Sequence, residues 1–265
     1  MWPTGRRWVM PQLERLRVYP IKGLRGVDVE AATVLDGGTL RHDREFALFD
    51  GAGEVVNGKR TDRVHELRPE FGLESGDCVV RAPDGDELRW TLGEDADRAG
   101  RWFSEAFDLD VTVKRDSSLG YVDRREMGPS VVSTATIETV ASWFDELTVE
   151  SVRRRLRANV EVSGVPAFWE DRFVGDGAPT FAVGSVRFEG VTPCGRCVVP
   201  QRDPDTGELT PDFRERFVER RRETFPDWAD PDAFDHHYSL MIITSVPAAD
   251  RGDRLRVGDA VSVSG

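Results

Sequence analysis

The sequence predicts an α+β protein dominated by β-strands: a β-barrel-like N-terminal domain, then a β-rich second domain with a few helices. Three observations carry that prediction. Short apolar alternations bounded by Gly and Asp recur through the first half of the chain. Two helical periodicities follow in quick succession near its middle. Strand patterns then return without regular βαβ alternation.

Taken in order, residues 16–19 alternate and stop at Pro20, and residues 27–35 alternate loosely up to the turn Asp36-Gly37-Gly38. Residues 44–49 and 54–56 flank Asp50-Gly51-Ala52-Gly53, the composition of a hairpin loop. Short strands are expected at 71–73, 78–80 and 87–90, a spacing that suits a barrel or sandwich. Residues 96–107 read as a helix carrying Trp102, Phe103 and Phe107. Ile137, Val140, Ala141 and Phe144 fall at i, i+3, i+4 and i+7, with Ser133 and Thr134 as candidate N-caps. The polar, glycine-containing stretch 117–128 sets a domain boundary, giving domains 12–120 and 121–265. Strands are expected again at 158–162, 180–188, 239–246 and 255–263. A further helix over 211–224 has Pro211 in its first turn and ends before Pro226.

The chain has 265 residues, long enough to bury a core without disulfide staples. Its 48 acidic and 36 basic side chains give a net charge of −12, and no basic stripe interleaved with aromatics offsets it, so no nucleic-acid partner is expected. The uncharged residues 238–249 are too short for a membrane span, and residues 1–15 lack the apolar run of a signal peptide. Three cysteines are too few for a disulfide scaffold. A soluble, cytoplasmic protein without a membrane partner is therefore expected. Only three of the 36 basic residues are lysines, Lys22, Lys59 and Lys114. Arginine-rich acidic surfaces suit a halophilic habitat, where molar salt shortens the Debye length to about 3 Å; a GC-rich genome would write the same bias.

Two segments could carry chemistry. Thr192-Pro193-Cys194-Gly195-Arg196-Cys197 runs into Asp203-Pro204-Asp205-Thr206-Gly207. Zinc would need two further ligands, from Cys78, His42, His65 or His236-His237. A redox dithiol would need a helix to begin at the first cysteine, and Pro200 with the following turn opposes one. Inert packing and a thiolate ligand to a soft metal inside an organic cofactor complete the alternatives. The second segment, Tyr19-Pro20-Ile21-Lys22-Gly23-Leu24-Arg25-Gly26, places a lysine and an arginine between glycines in a turn. Such a turn can present cations and N–H groups to a phosphate, or be a solvated basic loop. It lacks the GxxxxGK[ST] arrangement of a P-loop. Arg44, Lys59-Arg60 and Arg157 with Asn159 are further basic or polar candidates.

Together these segments resemble the MOSC family, named for the C-terminal domain of molybdenum cofactor sulfurase. The two-domain form, which includes the mitochondrial amidoxime-reducing component and bacterial relatives, is the nearer likeness. LRVYPIKGLRGVDVEAATVLDGGTLRHDREFALFD is similar to the family's N-terminal β-barrel domain. RLRANVEVSGVPAFWEDRF, VRFEGVTPCGRCVVPQRDPDTGE and RLRVGDAVSV are similar to the MOSC domain. The likeness runs from about Gln12 onward, and its most specific element is the cysteine motif with its DPDTG tail.

The resemblance implies a molybdenum–molybdopterin cofactor, with Cys197 as the catalytic protein ligand to molybdenum. Lys22, Gly23, Arg44, Arg157 and Asn159 match cofactor-binding positions, and Cys194 becomes a neighbour. It also implies reduction of small N-hydroxylated or N-oxide substrates by oxygen transfer to molybdenum. Re-reduction would fall to an external electron-transfer protein of the ferredoxin or flavin-reductase kind. Gly23 stands where relatives often have serine and Ala158 where they often have proline, and residues 59–63 match the family's loop poorly. The alternative is a non-catalytic carrier of cofactor or of sulfur on a cysteine. A complete sulfurase would need a pyridoxal-phosphate domain, for which this chain has no room.

Overall fold

The computed structural model describes residues 10–124 and 127–264. Residues 1–9, on which the signal-peptide reading largely rests, and residues 125–126 of the expected boundary lie outside the described residues. The first half contains β1 (Gln12–Val18), β2 (Val27–Asp28), β3 (Ala31–Thr33), β4 (Phe46–Asp50), β5 (Arg68–Gly72), β6 (Asp77–Arg81), β7 (Glu87–Thr91), α1 (Ala96–Phe107) and β8 (Val111–Arg115). The second half contains β9 (Ser130–Ser133), α2 (Thr134–Ser142), α3 (Val149–Leu156), β10 (Val160–Ser163), β11 (Thr180–Val183), β12 (Val186–Gly195), α4 (Phe213–Glu223), β13 (Ser239–Ser245), β14 (Arg254–Arg256) and β15 (Val261–Ser264). The protein is α+β and mainly β.

An eight-stranded sheet in the order β15-β11-β12-β13-β9-β10-β1-β2 forms the centre. β1 and β2 come from the first half, and β1 pairs antiparallel with β10 from Gln12↔Ser163 to Leu16↔Val160. β3 likewise pairs with β14. The remaining first-half strands form the pair β4-β8 and the meander β5-β6-β7. No ring of paired strands closes among the described residues, so the barrel-like expectation is met by small open sheets. The physical reason is that β1 and β3 complete their ladders with strands of the second half.

Strand alternation gives the large sheet two faces. Val131 packs into a core with Leu13, Leu16, Phe181 and Ile242, whereas its neighbour Val132 joins a second core with Ile137 of α2, Phe144 just beyond it, Leu156 of α3 and Phe217 of α4. The β5–β7 meander covers a third core in which α1 buries Ala99, Phe103 and Phe107, spaced by four residues.

Several expected elements differ in detail. The 180–188 strand is the hairpin β11–β12, turned at Gly184 (φ +58°). Residues 27–35 split into β2 and β3 because only alternate parts find a partner strand. The 54–56 arm returns through one bridge, Phe49↔Val55. α4 begins at Phe213 behind a left-handed Asp212, leaving Pro211 just outside. α3 and the strands β8 and β9 were not anticipated, although Val149, Val152 and Leu156 of α3 fall at i, i+3 and i+7 around a cluster of arginines. Ser133 does cap α2, accepting from the N–H of Thr136.

The core also holds charge. Glu170, Asp171 and Arg221 are each no more than 1% exposed, with Arg221 paired to Asp171 and stacked 4.4 Å over Phe168. Burial, then the neighbouring Asp171, pushes the Glu170 carboxyl far above the usual range, so it is protonated at neutral pH. A folded-state acid with a raised pKa binds a proton that the unfolded chain releases. Stability therefore falls as pH rises above the ordinary carboxylate range. Glu170→Gln keeps an acceptor for the Ser133 N–H. It is expected to raise the thermal midpoint above pH 8 by about 2–4 °C, equivalent to about 1 kcal/mol, and to give no gain at pH 4. Melting curves across that pH range check both.

Candidate functional site

A cleft of about 430 Å³ opens where the YPIKG turn, the end of α3 and the cysteine motif meet. Lys22, Gly23, Arg44, Arg157, Asn159 and Cys197 all line it, brought from segments up to 175 residues apart in sequence. Cys194, Lys59, Asp123 and His65 line it as well.

The first wall starts at Tyr19. Its ring is nearly buried and lies 5.1 Å from the Arg44 guanidinium and 4.1 Å from that of Arg157. Arg44 (φ +55°) and Arg157 (φ +60°) both adopt the left-handed conformation, uncommon for arginine. Arg157 does so as the residue that ends α3, a position usually given to glycine. Buried Asp43 ties this arrangement, accepting from the Tyr19 N–H at 3.0 Å and pairing with Arg44. For Arg44, burial opposes the charge but Asp43 more than offsets it, and its pKa rises. Arg157 has no carboxylate paired with it among the described residues, and burial lowers its pKa to about 10.

Lys22 follows the bridge residue Ile21, and its N–H donates to the Phe46 carbonyl. Its ammonium donates to Asp123 at 2.5 Å, and Lys59 reaches the other oxygen of the same carboxylate at 3.3 Å. Burial pushes Asp123 up, but the hydrogen bond and charges of the two lysines outweigh it and hold the carboxyl at about 2. Gly23 has φ +94°, and an added Cβ would lie 3.1 Å from the Val56 carbonyl oxygen. Both facts favour glycine at this position.

Asn159 is a latch. Its Oδ1 accepts from the N–H and hydroxyl of Ser130, and its Nδ2 donates to the Arg17 carbonyl, joining β9 and β1 to the start of β10. On the opposite wall, β12 carries two register irregularities against β13, the second spanning Cys194, and Met241 facing it has φ +61°. Such bulges re-aim side chains. Arg196 donates to the Cys194 sulfur at 3.1 Å and to the Leu156 carbonyl at 2.9 Å. The Cys197 carbonyl accepts from the Tyr238 hydroxyl.

His65 was considered in the sequence only as a zinc ligand. It is 9% exposed and its Nε2 is buried without a hydrogen-bond partner. Burial, reinforced by Arg157, Arg202 and Arg25, lowers its pKa to about 4. Asp43, adjacent to Arg44, also escaped the sequence reading, and Tyr19 entered it only as the first residue of the glycine turn. Cys78 is buried in the first-half core, where burial pushes its thiol to about 12, and His236 bonds to Ser239. Among the described residues no three His, Cys, Asp or Glu side chains converge as metal ligands. Asp203 caps its own turn by accepting from the N–H groups of Asp205 and Thr206. Asp205 is gripped by Arg154 and Arg25, and neither aspartate lines the cleft.

The arrangement combines a cationic cradle with half-buried cysteines, which fits an anionic, soft-metal cofactor. A family model described as the MOSC N-terminal beta barrel domain matches residues 10–150, and one described as the MOSC domain matches residues 127–262. The chain belongs to the MOSC family. Among curated relatives, mitochondrial amidoxime reducing component 2 of Homo sapiens is 26% identical over 252 residues, covering 78% of this chain and 72% of that protein. The Macaca fascicularis protein of the same name is 25% identical over 249 residues, with shares of 78% and 72%. Molybdenum cofactor sulfurase of Oryza sativa subsp. japonica is 23% identical over 248 residues, 74% of this chain and 29% of the sulfurase. The chain therefore spans less than a third of that sulfurase. Among the described residues of this MOSC protein no helix is long and apolar enough to cross a membrane.

Because Asn159 satisfies three buried groups, Asn159→Ala is expected to cost about 2–3 kcal/mol of stability. Urea unfolding of the purified protein measures it.

Proposed function

We propose that this MOSC protein is a molybdenum–molybdopterin-dependent oxidoreductase that reduces small N-hydroxylated or N-oxide compounds. It would be re-reduced by an external electron-transfer protein of the ferredoxin or flavin-reductase kind. Family membership, with relatives named for molybdenum cofactor sulfurase and for amidoxime reduction, supports a function tied to the molybdenum cofactor. The observation that carries the finer reading is the convergence of Lys22, Arg44, Arg157 and Cys197 on one cleft.

In this reading Lys22, Arg44 and Arg157 hold the phosphate of the cofactor, with Arg157 the cation least compensated by carboxylates. Cys197 supplies a thiolate to the metal. When bound, the cofactor would supply the two-electron, oxygen-accepting chemistry that no side chain offers. Asn159 keeps β1, β9 and β10 in register so that Arg157 and Tyr19 stay in contact. Asp123 is ionised at neutral pH and is therefore a partner for lysines and a poor proton donor. Asp205, held far below the usual carboxylate range by Arg154 against the opposing effect of burial, is no better.

A second reading is favoured by one observation: Cys194 lines the same cleft as Cys197 and receives a hydrogen bond from Arg196. Such a thiol pair suits a carrier of cofactor or of sulfur.

The test is molybdenum and pterin content of protein made in a cofactor-competent host, for wild type and Cys197→Ser. Near-stoichiometric metal and pterin are expected in the wild type. The folded variant should retain pterin, lose most of its metal and lose reduction of an amidoxime. A folded wild type lacking both components would overturn the reading. Cofactor present without amidoxime or N-oxide reduction, together with a sulfur adduct on a cysteine by mass spectrometry, would favour the carrier.

A further inference from the structure

A second cleft, of about 310 Å³, lies beside the first and shares Gly23, His65, Arg157 and Val199 with it. Its size is in the range of small-molecule sites, about 300 Å³ and upward. Six arginines line it: Arg17, Arg25, Arg154, Arg155, Arg157 and Arg202. Glu150 is the sole acidic lining residue among those described. This density of positive charge stands in a chain of net charge −12.

The nearby carboxylates do not balance it. Asp205 alone serves Arg25 at 2.7 Å, Arg154 at 2.9 Å and Arg68 at 3.6 Å. Glu150 is shared among Arg15, Arg17 and Arg153. Arg155 has Asp203 at 3.5 Å, and Arg202 donates to the carbonyls of Gly58 and Gly207. Several buried nitrogens lack a hydrogen bond: Arg17 Nε and Nη1, Arg25 Nε and His65 Nε2, although Arg17 Nε lies 3.3 Å from Asp28 and its Nη1 3.9 Å from Glu150. Unpaired buried donors and surplus charge are costly unless an anion completes them. Arginine forks match the oxygens of phosphate and sulfate.

We propose that this arginine-lined cleft binds a phosphate- or sulfate-like dianion, free or as the terminal group of a small molecule, separately from whatever occupies the first cleft. It goes beyond the oxidoreductase reading and does not depend on it. His65 stands between the two clefts and reports occupancy. The charged groups around it are Arg157, Arg202, Arg25 and, at its own carbonyl, Arg68, opposed by Asp203. A dianion in the second cleft offsets those arginines and favours the imidazolium. Binding therefore takes up a proton, and affinity rises as pH falls from 7 to 5.

The probe is sodium sulfate, a dianion throughout that range, titrated calorimetrically into the purified full chain at constant ionic strength set with chloride. One saturable site is expected. Arg202→Gln should weaken it by about tenfold or more, while Arg220→Gln, an equal charge loss on the exposed face of α4, should leave it unchanged. Because Arg202 also bonds two carbonyls, a second readout uses the wild type. Sulfate should raise the midpoint of the His65 ring proton titration, assigned by its absence in His65→Gln. Repeating the titration on cofactor-loaded protein distinguishes the sources. Unchanged affinity is expected, whereas abolished binding would mean that the cofactor's own phosphate fills the cleft and would overturn a separate site. No saturable binding, equal weakening in both arginine variants, or an unmoved His65 would also overturn the proposal.

Discussion

The pairing of β1 with β10 is the constraint on which the cleft depends. It joins the chain's beginning to its middle, and its ladder is continued past Leu16 by side-chain and backbone exchange. The Arg17 N–H donates to the Asn159 carbonyl, and Asn159 Nδ2 returns a bond to the Arg17 carbonyl. Two residues further on, the Tyr19 hydroxyl reaches the Ala158 carbonyl, and the Arg157 guanidinium settles on the Tyr19 ring. A slip of one residue in this register would turn Leu13 and Leu16 away from the core and separate Tyr19 from Arg157.

Around that seam, the structure concentrates positive charge that the whole chain lacks. The carboxylates near the two clefts gather these cations: Asp43 pairs with Arg44 and accepts from the Tyr19 N–H, Asp123 holds Lys22 and Lys59, and Asp205 holds Arg25, Arg154 and Arg68. The acidic residues therefore position the arginines and lysines without cancelling them. Two of the three lysines, Lys22 and Lys59, end on one carboxylate at the cleft, while Arg60 turns away to Asp50.

Much of the secondary structure was legible because local pattern and tertiary demand agree. α1 coincides with its expected span because Asp95 caps it and its apolar residues recur every four. α4 shows where this agreement ends. Phe213, Phe217 and Arg221 occupy one buried stripe, and an arginine at such a position reads as solvent-facing until Asp171 and Phe168 are seen beneath it. The barrel-like expectation for the first half met the same limit. Strand patterns state that a strand wants a partner, and here β1 and β3 find theirs more than a hundred residues away.

For the site, the sequence by itself determined the chemical inventory: a lysine and an arginine in a glycine turn, a cysteine pair ending a strand, and the Arg157–Asn159 segment. Motifs are local, and short-range spacing is enough to expose them. Only the tertiary structure decided that these segments share one cleft, that Asn159 latches strands together, and that His65 is sequestered between arginines from three other segments. Those outcomes depend on which donors are left unpaired after folding and on left-handed backbone at Arg44 and Arg157. Neither is encoded in the residue's own identity or that of its neighbours. Both follow from burial and from partners that long-range pairing brings into reach.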